Sequence, residues 1–239
     1  MLAWLDMERA RRRAPKAANA RGVLITLEGV EGAGKSTQMT RLAAWLEGLG
    51  VPVNPTSEPD GSPLGPWVRQ VLAERSPLDP LTECFLFATA RAEHVRRVIR
   101  PALERGAVVL CDRYADSTVA YQGYGRGVPL EVIAELNRLA TDGLVPDLTL
   151  VLDLDPVEGL RRARRRPVTL STALAGDLEP DPFERLGLDF HERVRKGYRA
   201  IQEREPNRVE VVDARQTEDA VAAAIRAIVA ARLHVGEPA

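Results

Sequence analysis

Gly29-Val30-Glu31-Gly32-Ala33-Gly34-Lys35-Ser36, with Thr37 behind it, has the form G-x-x-x-x-G-K-[ST] and stands between the apolar run 23–27 and a segment of helical periodicity. A strand that delivers the chain to a glycine turn, followed by a helix, predicts a phosphate cradle. Glycine permits the φ values that aim successive backbone N–H groups inward. Lys35 then reaches the β and γ phosphates of a nucleotide, and the Ser36 hydroxyl is placed to ligate Mg²⁺. The lysine itself points the same way. Of 33 basic residues only Lys16, Lys35 and Lys196 are lysine, and a compact ammonium suits a point contact with phosphate where a planar guanidinium does not.

Outward from the cradle, apolar strand-like runs alternate with longer helical stretches. Strands are expected at 23–28, 51–54, 108–112, 148–154 and 209–212. Helices are expected at 35–49, 81–99, 130–141, 156–166, 183–203 and 217–233. This alternation predicts an α/β fold in which a five-stranded parallel sheet is covered by helices. In the helix after the cradle, Leu42, Trp45, Leu46 and Leu49 share a face and Gly50 ends it. Pro101 is expected to disturb the long helix near residue 99. Segment 167–182 holds three prolines and no period; it reads as a mobile loop, the centre of a lid spanning about 162–185.

Composition sets the frame. A chain of 239 residues with 45% hydrophobic residues suits one sizeable domain, here residues 21–235. The net charge of −1 gives no general pull toward nucleic acid or an anionic membrane, so neither is expected as a partner and any anion site must be local. Cys84 and Cys111 lack the spacing of a metal site or disulfide framework, which predicts a reduced, cytoplasmic setting. Residues 1–20 are basic, with no apolar stretch suited to secretion, and read as a disordered, solvated extension. No apolar run is long enough to span a membrane.

Further chemistry gathers at the ends of strands. Asp112 closes a buried strand at its carboxyl edge, where open α/β sheets bind ligands. It is expected to hold Mg²⁺, directly or through water, opposite Ser36. Arg113 beside it offers a fork of donors to a second phosphate. Asp153 is the rival carboxylate. Five arginines between Arg161 and Arg166 end a helix just before the lid. Arg162 and Arg166, at i and i+4, are candidates to swing over the transferring phosphoryl group, where catalysis is mostly positioning and charge stabilisation. Phe87 and Arg91 share a helix face, which suits a nucleobase, although Phe87 taken alone reads sooner as core than as a base contact.

As a set, these residues resemble the thymidylate kinase family. The matching stretches are Leu27-Glu28-Gly29 through Thr37, Glu58-Pro59-Asp60-Gly61, Phe87-Ala88-Thr89-Ala90-Arg91, Asp112-Arg113-Tyr114, and Ser117-Thr118-Val119-Ala120-Tyr121-Gln122-Gly123-Tyr124-Gly125-Arg126-Gly127. Pro146-Asp147-Leu148-Thr149-Leu150 and Val212-Asp213-Ala214 follow. The resemblance implies a three-layer P-loop kinase fold, and an enzyme that transfers the γ-phosphate of ATP, with Mg²⁺, to dTMP in dTTP biosynthesis. By resemblance Phe87 stacks on thymine, and Arg91 and Thr118 bond its edge. Arg113 binds the dTMP phosphate, and Tyr121 and Gln122 line the sugar and base pocket. Glu58 faces the acceptor, Glu31 sits near the sugar 3′-hydroxyl or the metal, and the chain forms a homodimer through helices near 81–99 and 130–141.

The chain departs from the family pattern at Ser57, where many bacterial members carry arginine, in a longer lid, and at Asp181-Pro182 in place of Asp-Arg. Two other readings are open to the same residues. A deoxynucleoside kinase would use Glu58 as general base toward a neutral hydroxyl. A regulatory, GTPase-like switch would need an Asn-Lys-x-Asp stretch, which the sequence lacks.

Overall fold

The computed structural model describes residues 21–74, 78–165 and 182–233. The expected extension 1–20, most of the expected lid, and Arg166 with it lie outside the described residues. Five strands, β1 (Val23–Glu28), β2 (Val53–Ser57), β3 (Val108–Asp112), β4 (Leu148–Asp153) and β5 (Val209–Asp213), form one sheet in the order β2-β3-β1-β4-β5. Every pairing is parallel.

Alternate residues of the central strands feed two layers. Ile25, Val108 and Leu110 pack with Leu42, Leu46, Val194 and Ile225 on one face, whereas Leu24, Val109 and Cys111 pack with Val95, Ile99 and Tyr114 on the other. Both faces of β1 are therefore dry, as a parallel sheet between helical layers requires. Cys84 and Cys111 are buried free thiols.

The helices are α1 (Lys35–Gly48), α2 (Gly65–Glu74), α3 (Pro80–His94), α4 (Arg100–Glu104), α5 (Ala115–Thr118), α6 (Leu130–Thr141), α7 (Pro156–Arg164), α8 (Leu188–Arg204) and α9 (Glu218–Leu233). Leu42 and Leu46 of α1 are buried, but Leu49 caps the helix and is exposed, so the apolar face is shorter than its period suggested. Pro101 does not end the long helix. A π-helical turn at Val95–Ile99 joins α3 to α4, and Pro101 occupies the first turn of α4, where its missing N–H costs nothing.

Strand β2 lies two residues later than expected and contains Pro55, which an edge strand tolerates because one of its sides needs no ladder donor. The helix expected at 183–203 is split. A 3₁₀ turn covers Pro182–Arg185, and Gly187 is extended with ψ 159° before α8 begins. Helix α2, and the π-helical segment Val119–Gly125 that continues α5, had no counterpart in the sequence reading.

Register is what positions the site. Leu27, Asp112 and Ser57 stand in one row across β1, β3 and β2. Glu28, Arg113 and Glu58, each one residue further on, therefore emerge together at the carboxyl edge of the sheet.

Candidate active site

The loop after β1 turns through Gly29 at φ 138°, Gly32 at φ 69° and Gly34 at φ 92° into α1. Gly32 is forced by packing as well as by conformation. A Cβ there would stand 2.0 Å from the Gly159 carbonyl oxygen of α7, and one on Gly159 would stand 2.4 Å from that of Glu31. With no side chain between them, α7 lies directly against the loop. Helix α1 has neither a side-chain cap nor an acidic residue in its first turn, so its leading N–H groups and positive dipole end face the loop unneutralised. Lys35 Nζ donates to the Gly29 and Val30 carbonyls, each at 3.1 Å. Burial, and then the Arg113 charge, lower its ammonium from the ordinary range to about 8. Val30 and Ala33 anchor the loop in the core, while Ser36 and Thr37 are exposed at its mouth.

Ser36 Oγ donates to Asp112 Oδ2 at 2.7 Å. The rival Asp153 is already committed, to Arg195 at 2.6 and 2.8 Å and to Arg199 at 3.0 Å.

Beside the loop lies a cleft. Its lining includes Glu31, Glu58, Phe87, Arg91, Arg113, Thr118, Tyr121 and Gln122, the eight residues that the sequence assigned to an acceptor. Glu58 and Arg91 form its floor. Arg91 is 2% exposed and donates to Glu58 Oε2 at 2.8 Å, Asn137 Oδ1 at 2.7 Å, and both the Tyr114 carbonyl and Thr118 Oγ1 at 3.1 Å. The other Glu58 oxygen lies 3.3 Å from His94 Nδ1. Gln122 Nε2 donates to Glu83, which also receives Arg126.

Glu31 is the hub of the wall. Its Oε1 accepts from Tyr121 Oη at 2.6 Å and Arg113 Nη2 at 3.0 Å, and its Oε2 lies 3.2 Å from His191 Nδ1. Burial alone would raise this carboxyl; contacts from His191, Arg113, Lys35 and Tyr121 outweigh it and hold the group near 2. Arg113 has φ 67°, a left-handed conformation that is strained for a side chain of its size. Glu28 and β1 hold it there: the Arg113 N–H donates to the Leu27 carbonyl and the Tyr114 N–H donates to Glu28 Oε1 at 2.8 Å.

Sequence reasoning passed over several of these groups. Glu28 reads as the end of a strand, yet its carboxylate gathers Tyr114 at 2.8 Å and Ser117 at 2.6 Å from the cap and body of α5 and Tyr198 at 2.9 Å from α8. Burial, and then the Asp116 charge, push it up to about 7. His94, His191 and Phe183 also reach the cleft or its walls, Phe183 with its ring 6.2 Å from that of Phe87. The usable signal was a histidine in an otherwise amphipathic helix face, of which the chain has few. Among the lid cations, Arg162 is bound to Glu158 at 2.7 Å and to the Ala214 carbonyl at 3.0 Å. Its expected partner Arg166 lies outside the described residues.

The family model for thymidylate kinase matches residues 27–225. Thymidylate kinase of Solidesulfovibrio magneticus is 51% identical over 87% of this chain and 98% of its own length, and that of Deinococcus radiodurans is 48% identical over 90% and 100%. The crystal structure of thymidylate kinase from Ehrlichia chaffeensis superposes with a TM-score of 0.68 at 32% identity, covering 88% of this chain and 99% of that one. The chain belongs to the thymidylate kinase family, P-loop phosphotransferases that move the γ-phosphate of ATP to dTMP.

Proposed function

We propose that the cleft beside the phosphate loop holds dTMP with its phosphate on Arg113, its sugar 3′-hydroxyl on Glu31 and its thymine between Phe87, Arg91, Thr118 and Gln122, with Tyr121 along the sugar. The observation that carries this reading is Glu31 Oε2, a buried carboxylate oxygen that faces His191 Nδ1 at 3.2 Å without a well-formed hydrogen bond and has no other partner among the described residues. A carboxylate oxygen accepts two bonds, and a buried one left under-filled is costly; a ligand hydroxyl relieves that cost. Its neighbour Arg113, strained and fixed from behind, suits a planar contact to phosphate.

ATP lies along residues 29–37, its phosphates on the α1 N-terminus and Lys35. The residues present fit Mg²⁺. Ser36 and Asp112 already meet through hard oxygen atoms, and among the described residues no group of three or more His, Cys, Asp or Glu forms an all-protein cage. Two protein oxygens with the phosphates supplying the rest is how Mg²⁺ is commonly held. The ion, when bound, neutralises charge on the β and γ oxygens. Lys35, Arg162 and Arg166 add positive charge around the transferring group, and the cleft walls align the acceptor oxygen, which is already anionic and needs no base.

That last point separates the reading from a deoxynucleoside kinase. Such an enzyme needs Glu58 as a free base, whereas Arg91 and His94 occupy both of its oxygens. A regulatory switch is likewise not favoured, since the acceptor cleft is intact. Exposed Leu81, Phe85, Val132 and Leu139 on the packed helices α3 and α6 support a homodimer. No described helix is long and apolar enough to cross a membrane, and the buried free thiols suit the reducing cytoplasm.

Steady-state kinetics with dTMP and with thymidine test the acceptor. Arg113→Ala is expected to lower kcat/KM for dTMP by about a hundredfold or more while moving the KM for ATP by less than about threefold, since a charge-assisted pair to phosphate is lost. Phosphorylation of thymidine in preference to dTMP, or a loss that falls on ATP, would overturn the assignment.

A further inference from the structure

Glu31 is fixed at one oxygen and not at the other. Tyr121 and Arg113 both donate to Oε1, which leaves the carboxylate plane free to rock about that atom. Oε2 has no hydrogen bond of its own, and the group that faces it is His191 Nδ1 at 3.2 Å. His191 sits in the first turn of α8, is 1% exposed, and packs edge-on to Phe190 with ring centroids 5.3 Å apart. Its Nε2 is buried without a partner among the described residues. An imidazole in such a place is a poor core residue, because an apolar side chain would fill the space without an unsatisfied nitrogen. Among the described residues, the polar contact that the ring makes toward the cleft is the one to Glu31.

We infer that His191 is a positioning residue for the acceptor: its Nδ1 sets the plane of the Glu31 carboxylate so that the second lone pair of Oε2 is presented to the sugar 3′-hydroxyl of dTMP. This rests on the reading of Glu31 given above. A carboxylate oxygen accepts two bonds, so the imidazole and the hydroxyl share Oε2 without competing. The arrangement makes discrimination between a 3′-hydroxyl and a 3′-deoxy sugar depend on a residue that touches neither. A site built to bond a hydroxyl rejects the analogue that lacks it most strongly when its own polar groups are held still.

The substitutions follow from which nitrogen faces Glu31. Asparagine places a donor where Nδ1 stands, glutamine moves it to the Nε2 position, and leucine removes it. The reading is the ratio of kcat/KM for dTMP to that for 3′-deoxy-dTMP, with kcat followed separately. His191→Leu and His191→Gln are expected to lower this ratio by about tenfold with kcat for dTMP within about threefold of the parent, and His191→Asn to keep most of it. A merely structural role would weaken both substrates alike and leave the ratio untouched. An unchanged ratio in the leucine and glutamine variants, or asparagine no better than glutamine, overturns the inference. The glutamine and asparagine pair decides the matter even where leucine fails to fold. Glu31→Gln separates the two levels. If it leaves the ratio at the parent value, the reading of Glu31 falls and His191 falls with it; if it collapses the ratio while the His191 variants do not, only His191 falls.

Discussion

On the acceptor side of the site Arg91 and Glu58 meet at 2.8 Å with 2% and 5% of their side chains exposed; on the donor side Arg162 and Glu158 meet at 2.7 Å with 34% and 32% exposed. The geometry is nearly the same and the surroundings are not. Two carboxyls show the contrast again. Glu31 and Glu158 are both held near 2, Glu31 against the burial that opposes it, Glu158 on the surface by bonds from Arg161 and then Arg162. In water such a pair contributes little, because solvent screens it and holding two long side chains costs entropy. Out of water each charge depends on its partner. The acceptor half is thus assembled before substrate arrives, as part of the fold. The donor half fixes one cation, the buried Lys35, in its loop and keeps the others, Arg161, Arg162 and Arg164 among them, on a solvent-facing helix end.

The largest expected consequence lies on the acceptor floor. Arg91→Met removes the guanidinium and leaves Glu58 buried without its cation, His94 Nδ1 still 3.3 Å from its other oxygen. A broken buried pair of this kind costs about 3–5 kcal/mol. Denaturant unfolding is expected to show that loss, and binding of dTMP to weaken with it. If the variant loses less than about 1 kcal/mol, the floor is not the structural element that its burial implies, and the contrast between the two halves fails.

The same contrast explains what could be read from the sequence. The phosphate loop, β1 and β3 were legible to the residue because the glycines, the lysine and the apolar runs are local signals. The eight acceptor residues were named through family resemblance; residue pattern alone offered Phe87, Arg91 and Arg113. The roles of Glu28 and His191 were not legible, because a buried carboxylate or imidazole takes its meaning from partners 86 to 170 residues away in Glu28's case and 160 in His191's. Gly187 broke a helix that periodicity ran straight through, and the disturbance expected near Pro101 took the form of a π-helical turn at Val95–Ile99, beyond which the helix continues. The first follows glycine's own low helix propensity, which the apolar period had masked; in the second the helix runs on against a local signal.

Glu28 sharpens the comparison through pH. Its carboxyl rises from an ordinary 4.5 to about 7 in the folded protein, so the folded state holds this proton more tightly than the unfolded chain. Stability is therefore lost as pH climbs from about 4.5 to about 7, and the deficit, on the order of 3 kcal/mol, persists above. Glu28→Gln keeps an acceptor for the Tyr114 N–H, and its amide can donate to the Ser117 and Tyr198 hydroxyls, which turn to accept. The parent's Tm is expected to fall by roughly 6–12 °C between about pH 5 and 8, and that of Glu28→Gln to lack this component. Parallel Tm profiles for the two proteins would show that Glu28 does not titrate in this range.

The smallest expected effect on stability, and the one that tests the donor half directly, is Arg162→Ala. Its guanidinium spans Glu158 and the Ala214 carbonyl, joining the end of α7 to the loop after β5, and a third of the side chain is in water. Removing it leaves Glu158 paired with Arg161 at 2.6 Å, so no charge is stranded. The Tm is expected to move by no more than about 2 °C. The rate is another matter. A cation near the transferring phosphoryl group acts on the transition state, and kcat is expected to fall about ten- to a hundredfold, short of the full range of an arginine finger because neighbouring arginines stay in place. The loss belongs in kcat, with the KM for dTMP nearly unchanged, since the acceptor half is untouched. A variant with parental kcat would take Arg162 out of the chemistry. One with a Tm lowered as far as that of Arg91→Met would mean that the donor half, too, is built into the fold.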